Sequence, residues 1–345
     1  MFLSICVLAV AFRTVVKILE VFSEKLLLAL AIPSEHQDRP VKHEDVTVLN
    51  MTVGANFKGE DIENKISEVT ISAGSEPQYV ISDNAHNLVR GILDSGNVHY
   101  ADISHSMGVI LKKVYEKQPD FVELTTLLGK KRLQYHLTNK AYLLPPNMRT
   151  IARFMNMSEW VIWGNSMLAC YNKLPKEMQE AYAFINDYES LLQELMDAIR
   201  HIEHICKNKG FSCKTSKECQ SYIVAHVIGN AYPRQAHLGL KMLEYFRKEE
   251  AQLTEDMNIC ISSDIIESTF GIYKSKKSPN KLYGITPFAL MIPLYPKVVN
   301  ESVTKTFNFK ERLVNVKLKD IDAWTTEHLS KNWVTERTKT LKQVS

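Results

Sequence analysis

The chain has 345 residues, of which 45% are hydrophobic and 23% are charged. This composition excludes an intrinsically disordered chain, and the length suffices for two domains or for one domain with a large insertion. The formal net charge of +3 is too small to indicate a nucleic-acid partner unless the basic residues cluster. Six cysteines without a CxxC pair exclude a small disulfide-rich scaffold and predict a reducing, cytoplasmic compartment.

Residues 1–12 are almost wholly apolar and are followed by Arg13. A secretory signal peptide is one interpretation, but no positive residue precedes the apolar run and no clear cleavage site follows it. The run is also shorter than the about 20 apolar residues that cross a bilayer, so we expect no membrane span here. We expect instead a buried strand, or a translation start that lies inside a longer ancestral gene.

The next part of the chain predicts strands first and then an alternation of strands and helices. Two apolar runs, 15–21 and 25–32, are typical of a hairpin, and the alternating residues 45–53 predict a third strand. The remaining elements that the pattern predicts are helix 59–72, strand 79–82, helix 84–93, strand 99–103 and helix 106–115. An antiparallel portion that leads into strand–helix alternation indicates a mixed α/β sheet.

Beyond residue 118 the hydrophobic period becomes helical. We therefore expect 1–118 to be the first part of a catalytic core and 119–256 to be an all-helical insertion. Residues 257–294 would complete the core and include a helix that carries Glu267. The polar residues 295–345 predict a partly helical tail.

Three acidic residues follow strand ends or lie near helix starts. Asp83 ends the apolar strand in YVISDNAHNLVRGI, where ligands gather in α/β sheets, and its alternative role is to cap the next helix. Asp102 and His105 follow the next strand, and their alternative roles are a helix cap and a structural histidine. Glu267 lies about one turn inside its helix, where a solvated surface residue is the alternative. Such carboxylates suit a hard cation with oxygen ligands.

Together these elements resemble the DDE transposases of bacterial mobile elements. The residues that carry the resemblance are YVISDNAHNLVRGI, the D-x-x-H of DISH with its leucine–lysine helix, and SSDIIESTFGIYKSKK. The arrangement is also similar to the hobo/Activator/Tam3 (hAT) type, which has Cys where this chain has Asp102. EKLLLALAIP, residues 24–33, is similar to the second strand of the family. The resemblance covers residues 15–294 and implies a ribonuclease H-like mixed sheet core, interrupted by a large all-helical insertion.

The resemblance also implies metal-dependent phosphodiester cleavage and strand transfer at mobile-element ends. Three acidic residues would hold two Mg²⁺ (or Mn²⁺) ions, which activate the attacking oxygen and stabilise the leaving oxygen. Asp83 would be the second acidic residue and Glu267 the third, with Asp102 and His105 as supporting residues. The first acidic residue of the family is an aspartate on its first strand. Here Glu20 stands at that place, as the candidate for the first catalytic residue and metal ligand. This departure and the missing upstream DNA-binding region predict an N-terminally truncated, inactive product.

Basic residues cluster near these elements. We expect them to follow DNA phosphates without reading sequence, and an ordinary solvated face is the alternative. The expected DNA-binding residues are Lys112, Lys113, Lys130, Lys131, Arg132, Arg149, Arg153, Lys274, Lys276 and Lys277. Trp160 and Trp163 are expected to pack in a core, with base stacking as the alternative. The partners would be element-end and target DNA, bound by a homo-oligomer in the bacterial cytoplasm, associated with the nucleoid.

A second group of ligand-type residues contains His201, His204, Cys206, Cys213 and Cys219. Its spacings match no common zinc pattern, so reduced thiols are favoured over a structural zinc ion. Two other functions also stay open from the sequence. A related metal-dependent nuclease would need the same acidic residues, whereas a catalytically dead DNA-binding or oligomerisation protein would need none of them.

Overall fold

The computed structural model describes residues 3–10, 25–146, 157–229, 233–276, 284–298 and parts of 305–343, with the backbone alone at 3–10, 158 and 189–195. The described residues form a mixed α/β structure that is mostly helical. They divide into two compact units. The sheet unit comprises Met1–Asp102 and Ile259–Ser345, and the helical unit comprises Ile103–Asn258.

One five-stranded sheet is described in the sheet unit. Its order is β3-β2-β1-β4-β5, where the strands are β1 (Leu3–Val10), β2 (Lys25–Pro33), β3 (Thr47–Gly54), β4 (Val80–Ser82) and β5 (His99–Ala101). The pairs β1–β2 and β2–β3 are antiparallel, whereas β1–β4 and β4–β5 are parallel. The mixed sheet that the sequence predicts is therefore confirmed, with its antiparallel part preceding its parallel part.

The first strand differs from the sequence prediction. Residues 15–21 were expected to pair with β2, but β2 pairs with β1 along one edge and with β3 along the other. A strand has only two edges for hydrogen bonding, so the predicted hairpin partner was wrong; residues 15–21 themselves lie outside the described residues. The apolar N-terminal run forms the strand instead, in agreement with the expectation of a strand at 1–12.

Helix α1 (Gly59–Ala73) lies between β3 and β4 in the chain, and helix α2 (His86–Asp94) connects the parallel strands β4 and β5. Each presents apolar residues at helical spacing to one core, where Ile62 and Ile66 of α1 meet Leu88 and Ile92 of α2. The two helices approach closely at Gly91, because a Cβ atom there would lie 2.4 Å from the carbonyl oxygen of Gly59. Only a residue without a side chain fits this contact.

The helical unit contains α3 (Ile103–Tyr115), α4 (Pro119–Tyr135), α5 (Met157–Ala169), α6 (Lys176–Tyr182), α7 (Ile185–Lys209), α8 (Cys213–Tyr222) and α9 (Pro233–Glu250). A π-helical turn, Ile223–Ile228, extends α8. Helix α3 contacts α7 and α9 within this unit. The compact helical unit therefore begins at Ile103, whereas the sequence assigned helix 106–115 to the core segment 1–118.

The chain then returns to the sheet unit and forms α10 (Asp264–Lys276), α11 (Tyr295–Val298) and α12 (Leu318–His328). The returning segment is fixed by Tyr79, whose hydroxyl accepts a hydrogen bond from the Cys260 amide at 3.1 Å and donates one to the Ser34 carbonyl at 3.0 Å. Among the described helices, none combines the length and the apolar composition that crossing a membrane requires.

Candidate functional site

Asp83 lies immediately after β4, a strand whose three residues are all buried. Its side chain is half-buried, and its Oδ1 accepts a hydrogen bond from the Ala85 amide at 2.9 Å. The carboxylate thus stabilises the turn into α2, whose N-cap position, Ala85, has no side-chain hydrogen bond of its own. The bond goes to the amide of the N-cap residue and not to an amide of the first helical turn, and it fixes the direction of the carboxylate.

A buried pair of side chains, Ser82 and His99, stabilises the backbone at Asp83. Ser82 Oγ lies 2.8 Å from the Asp83 carbonyl oxygen and 2.9 Å from Nε2 of His99 on β5. A hydroxyl has one proton to donate. When Ser82 donates to the carbonyl oxygen of Asp83, His99 must therefore donate its Nε2–H to Ser82. Both side chains are almost completely buried, so this pair replaces water as the partner of the Asp83 carbonyl.

Asp102 is a buried carboxylate of the sheet unit, and it binds a residue far along the chain. Its Oδ2 accepts from the Ser263 amide at 2.6 Å and from the Ser263 hydroxyl at 2.9 Å. Its own amide donates to the Ser82 carbonyl at 2.9 Å. The sequence left a cap of the next helix open as the alternative role of Asp102. The helix whose start it binds is α10, 161 residues further on.

Ser263 immediately precedes α10, and its carbonyl accepts a hydrogen bond from the Ile266 amide in the first turn of that helix at 2.8 Å. A negative carboxylate at this end interacts favourably with the helix dipole. A second contact lies one turn later, where the Ser268 hydroxyl is 3.0 Å from Nε2 of His43. Burial lowers the pKa of His43, which favours the neutral imidazole at this contact.

Glu267 lies between these two anchored positions of α10. Its side chain is on the exposed face of the helix, opposite the buried Ile266 and Phe270. The helix therefore holds Glu267 in a defined place while the carboxylate faces solvent. Glu267 follows Ser263 by four residues, which corresponds to an axial rise of about 6 Å.

Glu20 lies outside the described residues, and the strand that pairs with both β2 and β4 is formed by Leu3–Val10. The strand beside β4 is β1, which pairs Ile5 with Val80 and Cys6 with Ile81. The next β1 residues toward the end of β4 are Val7 and Leu8, and the sequence of β1, LSICVLAV, contains no acidic residue. The position on the first strand next to Asp83 is therefore apolar.

The structure brings Asp83, Asp102 and Glu267 into one compact unit. His105 is half-buried on α3 and belongs to the helical unit. Within the described residues, no three histidine, cysteine, aspartate or glutamate side chains already converge as a metal-binding group. The carboxylate oxygens of Asp83 and Glu267 are nevertheless the hard donors that Mg²⁺ takes, usually one or two per ion alongside water and substrate phosphate.

The expected DNA-binding residues are in several places. Lys274 and Lys276 lie exposed in the last turn of α10, in the same unit as the acidic residues. Lys112 and Lys113 of α3 and Lys130 and Lys131 of α4 belong to the helical unit, as does Arg132, which donates to the Pro145 carbonyl at 2.6 Å. Arg149, Arg153 and Lys277 lie outside the described residues.

The tryptophans and the cysteine–histidine group have internal partners. Trp160 is buried and donates to the Pro146 carbonyl, and Trp163 packs edge-on against Tyr182, which confirms the expectation of core packing. The thiols of Cys206 and Cys219 are both buried, with their sulfur atoms 3.9 Å apart. His201 stacks on Tyr222, and His204 forms a hydrogen bond with Asn208.

The sequence identified Asp83, Asp102 and Glu267, and it missed Ser82, His99, Ser263 and His43. The missed residues are polar side chains within or beside apolar segments, and alternation between polar and apolar residues could have marked only Ser82 and His99. When the chain is compared with known proteins, no family model matches it and no curated protein matches it.

Proposed function

We propose that the chain is the catalytic region of a DDE-type DNA transposase with a ribonuclease H-like core and a helical insertion. One observation carries the proposal: two distant segments meet at Asp102. One segment is the end of β4, which precedes Asp83, and the other is the start of α10, which precedes Glu267. A metal site built from residues so far apart in sequence needs a junction of this kind.

The sheet topology supports the proposal. Three antiparallel strands lead into two parallel strands, with α1 before β4 and α2 between β4 and β5, which is the element order that the family resemblance implies. Asp83 follows the carboxyl end of a parallel strand, where ligands of α/β sheets bind. The proposed core therefore presents its acidic residue at the edge where a substrate is expected.

The chemistry follows from the charges of the described residues. Asp83 and Glu267 would hold Mg²⁺, which, when bound, supplies charge stabilisation for an in-line displacement at phosphorus. Lys274 and Lys276 would neutralise DNA phosphates beside the two carboxylates. In cleavage, a water oxygen bonds to phosphorus while the bond to the 3′ oxygen breaks and that oxygen takes a proton. In strand transfer, the freed 3′-hydroxyl attacks a target phosphodiester in the same way.

The composition of β1 favours a second candidate function, DNA binding without catalysis. The family pattern needs a third carboxylate on the first strand, and β1 offers Val7 and Leu8 at the corresponding level. A site with two carboxylates would bind metal more weakly and would place it less accurately. A misplacement of about 1 Å can reduce a rate by roughly 100-fold.

Metal binding is the first test. Mn²⁺ is titrated into the purified full chain and into Asp83→Ala, Glu267→Ala and the control Asp94→Ala, and free Mn²⁺ is followed by electron paramagnetic resonance. Asp94 is an exposed carboxylate at the far end of α2, so its removal should leave binding unchanged. The proposal predicts that Asp83→Ala and Glu267→Ala each abolish the same binding event.

A DNA assay then separates the candidate functions. Cleavage and joining of element-end DNA with Mn²⁺ support a transposase, and cleavage without joining supports a related nuclease. Metal-independent DNA binding that survives both substitutions supports the non-catalytic candidate. Absence of Mn²⁺ binding in the parent chain, or equal binding in all variants, would refute the proposed metal site.

A further inference from the structure

The Asp102 side chain is only 3% exposed, although carboxylates are among the groups that are most costly to bury. Its burial is compensated by two donors of one residue, the amide and the hydroxyl of Ser263. A hydroxyl at a helix start usually accepts a hydrogen bond from the first turn. Here the Ser263 hydroxyl donates outward to Asp102, so the residue before α10 is bound through both of its donors to the residue after β5.

The backbone of Asp102 makes the complementary contact. Its amide donates to the Ser82 carbonyl, and Ser82 is the residue before Asp83. Asp102 is therefore one hydrogen bond away from Ser82, which is covalently joined to Asp83, and one hydrogen bond away from Ser263, which precedes the Glu267 helix.

We propose that Asp102 is the positioning residue of the acidic pair, which sets the separation of Asp83 and Glu267 and through it the affinity for the metal ion. The inference rests on the proposed function, because it assigns a role within the same site. Asp102 is not assigned as a metal ligand, since its Oδ2 is occupied by Ser263. Residues that orient metal ligands typically change metal affinity by about 10- to 100-fold when they are replaced.

The test uses Asp102→Asn in the full chain. The amide has the same shape, but it is neutral, so its oxygen is a weaker acceptor for the two Ser263 donors than the carboxylate oxygen is. We expect the dissociation constant for Mn²⁺ to rise about 10-fold or more. We also expect faster hydrogen exchange in the first turn of α10, at residues 264–267, while the exchange of α1 is unchanged.

Two further variants keep the experiment decisive. Ser263→Ala removes the hydroxyl donor and keeps the amide, so it should raise the dissociation constant less than Asp102→Asn does. Ser95→Ala is the matched control, because it removes a partly buried hydroxyl-to-carbonyl hydrogen bond of 2.7 Å at the far end of α2, in the same unit. It should leave Mn²⁺ binding unchanged, which separates a loss of positioning from a general loss of stability.

The outcomes distinguish this inference from the proposed function. Parent binding that Asp83→Ala abolishes and Asp102→Asn leaves unchanged overturns the positioning role alone. The positioning role is supported if Asp102→Asn weakens Mn²⁺ binding most, Ser263→Ala weakens it less, and Ser95→Ala leaves it unchanged. If the parent chain binds no Mn²⁺, the proposed function fails and the positioning role fails with it.

Discussion

The contact between α1 and α2 gives the sharpest stability prediction. In Gly91→Ala, the new Cβ would lie 2.4 Å from the Gly59 carbonyl oxygen and 2.5 Å from Cβ of Ile62. Neither atom can rotate away, because one belongs to the backbone and the other is a Cβ. The helices must therefore separate by about 1 Å, and overpacking of this kind costs about 1–3 kcal/mol.

Helix propensity acts in the opposite direction. Alanine in a helix interior is favoured over glycine by about 1 kcal/mol. With the upper overpacking cost of about 3 kcal/mol, Gly91→Ala therefore lowers the free energy of unfolding by about 2 kcal/mol. Gly129→Ala is the matched control, because Gly129 lies inside α4 and a Cβ there would have no neighbour within 4 Å. It should stabilise α4 by about 1 kcal/mol.

Hydrogen exchange read by mass spectrometry suits a chain with two compact units, because it reports each helix separately. Gly91→Ala should accelerate exchange of the slowest amides in α1 and α2 by about 30-fold, at a factor of ten for each 1.4 kcal/mol. Gly129→Ala should slow exchange in α4 about fivefold. Slower exchange of α1 and α2 in Gly91→Ala would show that propensity dominates and that the described close packing is incorrect.

Two further predictions concern titrating groups. The hydrogen bonds from Arg39 lower the pKa of Asp45, so the stability from this pair is present above the ordinary aspartate range and is lost as the pH falls through the lowered pKa. Thermal unfolding below about pH 4 should therefore show a steeper decline for the parent than for Asp45→Asn, and parallel curves would contradict this. The hydrogen bond with Cys219 and, after it, burial raise the pKa of the Cys206 thiol, which leaves less of the reactive thiolate. Iodoacetamide at pH 8 should therefore modify the half-buried Cys213 well before Cys206, as mapped by peptide mass spectrometry. Equal modification rates at the two cysteines would contradict this prediction.

The sequence predicts elements well where one pattern has a single interpretation. Helix α1 and strand β3 agree within a few residues with the predicted elements, because Ile62, Ile66 and Val69 fit only a helix. The N-terminal strand was wrong because three neighbouring apolar runs satisfy the same pattern. Strand pairing depends on edges that become occupied only in the folded sheet, and a single sequence carries no direct record of those pairs.

In the candidate site, too, local features were predictable from the sequence and contacts between distant residues were not. Asp83 was predictable because a strand end next to a helix start is visible locally. The partner of Asp102 was not, since a carboxylate after a strand predicts a cap for the next helix and gives no sign of Ser263. The contact between His43 and Ser268 joins residues 225 positions apart, and neither residue differs locally from an ordinary surface position.

The hydrogen bonds between Asp102 and Ser263 have a consequence for synthesis on the ribosome. Every strand of the described sheet precedes Asp102, whereas Ser263 is translated 161 residues later. At about 5–20 residues per second, this interval lasts roughly 8–30 s. Throughout it, the nascent sheet holds a carboxylate whose two donors do not yet exist. Arrival of α10 is thus a late event in biogenesis, and chaperones have a defined period in which to cover the unfinished edge.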